Sequence, residues 1–180
     1  MNWKKQLISF EQSKDYKSAI KHIQNVVKNN PNDVEAHIRM LYLLHNILVE
    51  EDYTGIDHDF LASLLKSFFD ISYEKFAKNA EYLFFIGKIL YIAEWYFGLD
   101  DDFKPTEEKQ AFQMQKKAHD MERGNVLYEW AYRFSLGDVL ATYLANQILS
   151  HDNVTLKWLK SKGFPGKYIL VALEQSREWK

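Results

Sequence analysis

The sequence predicts an all-α chain of about eight helices, arranged as antiparallel pairs. Three observations carry that prediction. Apolar residues recur every three to four positions along most of the chain, which is the period of one helix face. The 180 residues include only 7 glycines and 3 prolines, too few for the many tight turns of a β-rich fold. Capping residues (Asn2, Asp15, Asp33) stand just ahead of the first apolar-periodic runs. No alternating segment is long enough for a strand; the short run Tyr168-Ile169-Leu170-Val171 has flanks that favour helix.

The elements follow in order. Asn2 caps a first helix with Trp3, Leu7, Ile8 and Phe10 on its apolar side, and Ser13-Lys14-Asp15 is a polar turn. Asp15 caps a second helix whose stripe is Ala19, Ile20, Ile23, Val26 and Val27. Asn29-Asn30-Pro31 ends it, because the residue before proline is pushed out of the α region. A third helix is expected from residue 32 or 33 to Val49, with Ala36, Met40, Leu41 and Leu44 facing inward. Glu50 to His58 is a loop. A fourth helix covers about Asp59 to Asp70. A fifth runs from about Ser72 to Phe97, with a break near Asn79 and Gly98 as its stop.

Asp100 to Lys104 is a second acidic loop, and Pro105 suits the first position of a sixth, largely polar and exposed helix ending near Met121. A long apolar helix is expected from Asn125 to His151, bent near Ser135–Gly137. A short one covers Asn153 to Lys162, and a last one Lys167 to Arg177. The whole is expected as a single helical domain over residues 1–180.

Trp3, Phe10, Tyr16, Ala19, Ile23, Val26 and Pro31 have the large, small and proline spacing of one tetratricopeptide repeat, and residues 1–34 resemble that family. The likeness is partial over residues 35–98, where Gly87 takes a small-residue position, and is lost over 99–180, a divergent C-terminal half. It implies a short right-handed stack of helix pairs that binds protein. It also implies a concave groove lined by Lys4, Ile8 and Glu11, by Ile38, Tyr42 and His45, and by Phe84, Lys88 and Tyr91. The other aromatics, among them Phe68, Phe69, Phe85, Trp95 and Trp130, are expected mostly in the core.

Composition narrows the function classes. Cysteine is absent, so neither disulfides nor thiol chemistry is available. The first residues have no apolar leader, and the most apolar run, Tyr82 to Leu99, is interrupted by Lys88 and Glu94. A cytoplasmic chain with no membrane partner is expected. The net charge of −2 gives no reason to expect nucleic acid. The charge is unevenly spread. Residues 1–30 hold six lysines and two acids, while residues 33–59 hold seven acids and one arginine. Residues 100–108 hold five acids and one lysine.

No phosphate loop, nucleophile elbow or His-Glu-x-x-His pattern is present, so no enzyme activity and no cofactor are expected. Asp57-His58-Asp59 groups metal-ligand types locally, but a polar loop ending in a helix cap accounts for it, and no metal is expected. The acidic loops Glu50, Glu51, Asp52, Asp57 and Asp59, and Asp100, Asp101 and Asp102, have two readings. They are turns and caps, or they are a face for a basic protein, where charge speeds association. In size, helical architecture and charge pattern the chain also loosely resembles the immunity proteins of bacterial contact-dependent toxin systems. That likeness implies a partner that is a basic toxin domain. A peptide-binding scaffold or regulatory adaptor using the groove is the alternative. Self-association is left open.

Overall fold

The computed structural model describes residues 2–51 and 53–177. Ten α-helices and two short 3₁₀ turns make up the regular structure of the described residues, with no strand. The helices are α1 Trp3–Gln12, α2 Tyr16–Asn29, α3 Val34–Val49, α4 His58–Phe76, α5 Ala80–Ile89, α6 Gln110–Met121, α7 Val126–Ser135, α8 Leu140–His151, α9 Asn153–Ser161 and α10 Phe164–Arg177.

Short polar side chains start most of them. Asn2, Asp15, Asp33, Asp57, Asn79, Asn125 and Asp152 each accept a backbone N–H from the first turn of the helix that follows. Each satisfies a donor that the helix itself cannot. The boundaries differ from the sequence expectation where a cap was hidden. Helix α4 begins at His58 and continues to Phe76, and Asn79 then starts a separate α5. That helix ends at Ile89. Residues Glu94–Phe97 form their own 3₁₀ turn after Ala93, which is left-handed at φ 53°.

Helix α6 starts at Gln110 instead of Pro105, because the Asp101 carboxylate accepts the Gln110 N–H at 2.7 Å. The expected long helix over 125–151 is two helices, not one bent one. Gly137 and Asp138 separate them, and Asp138 accepts the N–H of Leu140 at 2.9 Å. The last helix begins at Phe164, with Pro165 in its first turn.

Successive helices pack on one another from α1 to α4, then α5 on α6, α6 on α7 and α7 on α8. Helix α3 also packs on α5, and α10 lies across α3, α8 and α9. One apolar core runs from Leu7 to Leu173. Ala19, Ile23 and Val26 are buried in it as expected, while Trp3 is only half-buried. Helix α6 was expected to be exposed but buries Ala111, Phe112, Met114, Gln115 and Ala118. The reason is Gly87. A Cβ there would stand 2.4 Å from the Gln115 side-chain nitrogen, so the missing side chain is what lets α6 close onto α5.

A charged cluster ties the ends of the fold together. Glu35 on α3 accepts from Lys4 of α1 at 2.7 Å and from Arg39 at 2.8 Å. Lys162, just beyond α9, reaches Glu35 at 3.3 Å and Glu81 of α5 at 2.6 Å. Burial raises the Glu35 pKa, but the cations outweigh it and the net direction is down.

Candidate functional site

The groove residues inferred from the repeat likeness come together, but they are covered. Ile38, Tyr42, His45, Phe84 and Lys88 are buried. Helix α10 fills the space over α3: the rings of Phe164 and Tyr168 pack edge-on against Tyr42, with centroids 6.2 Å and 5.6 Å away. The Tyr42 hydroxyl turns inward and donates to the Phe85 carbonyl at 2.8 Å. His45 Nε2 lies 2.9 Å from the Ile92 carbonyl, and its ring stacks on Phe97. Phe84 packs on Tyr128 of α7. Tyr91 is exposed, and Lys4, Ile8 and Glu11 on α1 are part-exposed. The α3 and α5 parts of the expected groove are therefore not open: α10 covers Tyr42, and α7 covers Phe84.

Two cavities flank α10. One of about 440 Å3 is lined by Ile8, Glu11, Tyr16, Leu43, Glu51, Phe164 and Lys167. The other, of about 470 Å3, is lined by Tyr42, His45, Ile89, Tyr168 and Val171. In the first, burial pushes the Glu11 carboxyl up to about 7, although Arg39 draws it down. Lys14, on the same cavity wall, is engaged by Glu51 at 2.9 Å.

Lys88 is the most unusual charged group. It is 4% exposed, and no carboxylate pairs with it among the described residues. Its ammonium sits 4.0 Å from the Phe134 ring centroid and 4.7 Å from that of Trp130. Burial pushes its pKa down to about 7.

The acidic loops divide. Glu51 is half-buried and bonded to Lys14, and Asp101 is buried as the start of α6, bonded to Lys104 at 2.7 Å. These two are structural. Asp52 lies outside the described residues. Glu50, Asp57, Asp59, Asp100 and Asp102 are exposed. Four of the exposed set belong to one neighbourhood. His58 Nε2, between Asp57 and Asp59, lies 2.9 Å from the Tyr96 hydroxyl, which joins the start of α4 to the 94–97 turn. Burial raises the Glu94 pKa, and a hydrogen bond that its protonated carboxyl donates to the neighbouring Asp102 raises it further. The 100–102 loop therefore closes on the same turn. No group of three or more His, Asp or Glu among the described residues is placed to hold a metal ion.

Three aromatics stand out in this neighbourhood: Phe103 is 98% exposed, Trp95 61% and Phe60 56%. Sequence periodicity missed them and assigned Trp95 to the core. The signal was present in another form. Trp95 and Phe103 flank Gly98 and a run of three aspartates, a turn-forming context. Exposed aromatics ringed by carboxylates can dock on a protein surface. The rings bury area, while the charges select and steer a basic partner. No helix among the described residues is long and apolar enough to cross a membrane. No protein-family model, curated protein or solved structure matches the chain.

Proposed function

We propose that this chain is a non-catalytic protein-binding module that takes a basic protein partner on its acidic, aromatic end. The helices α1 to α5 are read as a tetratricopeptide-like stack, and that end is one rim of it. The observation that carries the reading is the grouping of exposed Trp95, Phe103 and Phe60 with Asp57, Asp59, Asp100 and Asp102. Six acids and one lysine occupy residues 57–60 and 94–104. The narrowest form of the proposal is neutralisation of a basic toxin domain, in the manner of an immunity protein. A peptide-binding scaffold using the groove is the alternative, and it requires α10 to leave its seat on Tyr42.

Affinity capture followed by kinetic measurement tests the proposal. The wild-type chain should retain a basic protein, with an association rate that falls at least tenfold between low and high salt. Reversal of Asp59, Asp100 and Asp102 to Lys, which keeps the Asp57 cap of α4 in place, should abolish capture. Trp95→Ala with Phe103→Ala should speed dissociation, since truncating a buried anchor costs about 2 kcal/mol or more. Undiminished capture by the charge-reversed chain would sink the proposal.

A further inference from the structure

We propose that the outer face of α8, with the turn before it, is a self-association surface that a second copy of this chain covers across a two-fold axis. Leu136 and Val139 stand in the turn between α7 and α8, and Leu140 and Tyr143 lie one turn apart on α8 itself. All four are exposed, Val139 by 81% and Tyr143 by 66%. They supply four of the twelve exposed large hydrophobic residues within eight positions.

The charge pattern identifies the occupant. From Ser135 to Ser150 the chain has one charged residue, Asp138. That carboxylate is held by Arg133 at 2.9 Å, and its other oxygen caps α8, so the face carries no free charge. Its exposed polar residues, Asn146, Gln147 and Ser150, are neutral. A two-fold contact sets a patch against itself, so any net charge on it meets its own sign. The lysines exposed on α2 (Lys17, Lys21, Lys28) and the acidic end would repel a copy; the α8 face would not. A basic partner, by contrast, gains nothing from a neutral surface. This inference does not depend on the proposed function, and a dimer built on α8 leaves the acidic end free.

Area sets the strength. The four side chains leave about 400 Å2 uncovered, within the range at which exposed patches are functional. Helix α8 is about 18 Å long. Two copies then bury about 1,000 Å2 once the flanking amides are included, the lower edge of specific interfaces. A weak dimer follows, with a Kd of about 10–100 µM.

Sedimentation equilibrium of the purified chain from about 5 to 500 µM brackets that affinity. The average mass should rise from 21.4 kDa towards twice that value. Because the face is neutral, the association constant should change less than about twofold between low and high salt. Val139→Glu and Tyr143→Glu should each weaken association at least tenfold. Both side chains are exposed, so both variants should keep the parent's circular dichroism and melting temperature. A chain that stays monomeric at the top concentration overturns the proposal. So does a dimer that high salt dissolves, or one that both substitutions leave intact.

Discussion

Replacing Lys88 with methionine should make the protein more stable, by an amount that depends on pH. The lysine stem already packs among apolar groups, so Met preserves most of the volume. What it removes is a buried ammonium whose pKa falls from 10.5 to about 7. Each pH unit between the two values is worth about 1.4 kcal/mol. The sign follows from proton counting. Between pH 7 and 10.5 the unfolded chain binds the proton and the folded chain does not, so stability rises with pH across that window. The penalty is fully present below pH 7, about 5 kcal/mol before any ring contribution, and is gone above 10.5. The Trp130 and Phe134 faces return about 1–2 kcal/mol to the charged form. The net gain expected for Lys88→Met is therefore about 3–4 kcal/mol at pH 6, shrinking to about 2 at pH 9.

Urea unfolding of parent and variant at each pH from 6 to 9 reads this directly, since other titrating groups cancel in the difference. The series stops at pH 9 because buried tyrosines such as Tyr16 and Tyr168, raised to about 12, begin to oppose folding once free tyrosine ionises near 10. A variant no more stable than the parent at pH 6, or a difference that stays flat with pH, would refute the reasoning. Lys88 would then be charged in the fold and solvated by a route the geometry does not contain.

Glu11→Gln should show the opposite pH trend. Its folded pKa of about 7 against 4.5 means a penalty absent below pH 4.5 and complete above 7, so the variant should gain about 2–3 kcal/mol in urea melts at pH 8 and nothing at pH 4. Glu35→Gln should lose about 3–5 kcal/mol at pH 7, because it leaves Arg39, 1% exposed, and Lys162 without their shared carboxylate. The parent's advantage over that variant should shrink as pH falls through the carboxylate range, since the depressed pKa stabilises only above the unfolded value. Gly163→Ala should lower thermal stability by about 2–4 kcal/mol: its φ is +68°, and a Cβ would lie 2.4 Å from the buried Arg39 guanidinium. Gly137→Ala, at φ +66° with open space around it, should lose only the backbone part, about 1–2 kcal/mol.

Local signals made most of the helices legible. Asn2, Asp15 and Asp33 set three starts from their own side-chain chemistry, and the stripe Ala19–Ile23–Val26 lies inside as its period requires. The misses came from long-range partners. Asp101 reads as one of three loop aspartates, but nine residues of separation hide its bond to Gln110. The polar look of α6 concealed Gln115, whose amide donates to the Phe84 carbonyl at 2.8 Å from inside the core. A period alone cannot tell a polar residue facing water from one facing a carbonyl. The same limit applied to the candidate site. Periodicity put Trp95 among the core aromatics, but a left-handed Ala93 ends the helical run ahead of it, and Trp95 lies exposed in the 3₁₀ turn that follows.

The occupied groove bears on where a partner can bind without unfolding anything. Helix α10 is tied into the fold at several points besides Tyr42. Trp130 donates to the Ser176 hydroxyl at 3.1 Å, and Thr142 donates to the Ser176 carbonyl at 3.1 Å. A peptide entering the groove would compete with a helix in the same chain, whose effective concentration is roughly millimolar or higher. Its affinity would be reduced by the fraction of molecules in which α10 has left. Phe103, Trp95 and Phe60 impose no such competition, because no helix of the described residues has to leave for their exposed faces to be reached. Binding there removes exposed aromatic area from water and leaves every core contact in place. For the binding proposed above, the free-energy comparison therefore favours the acidic end over the groove even for a partner that fits both.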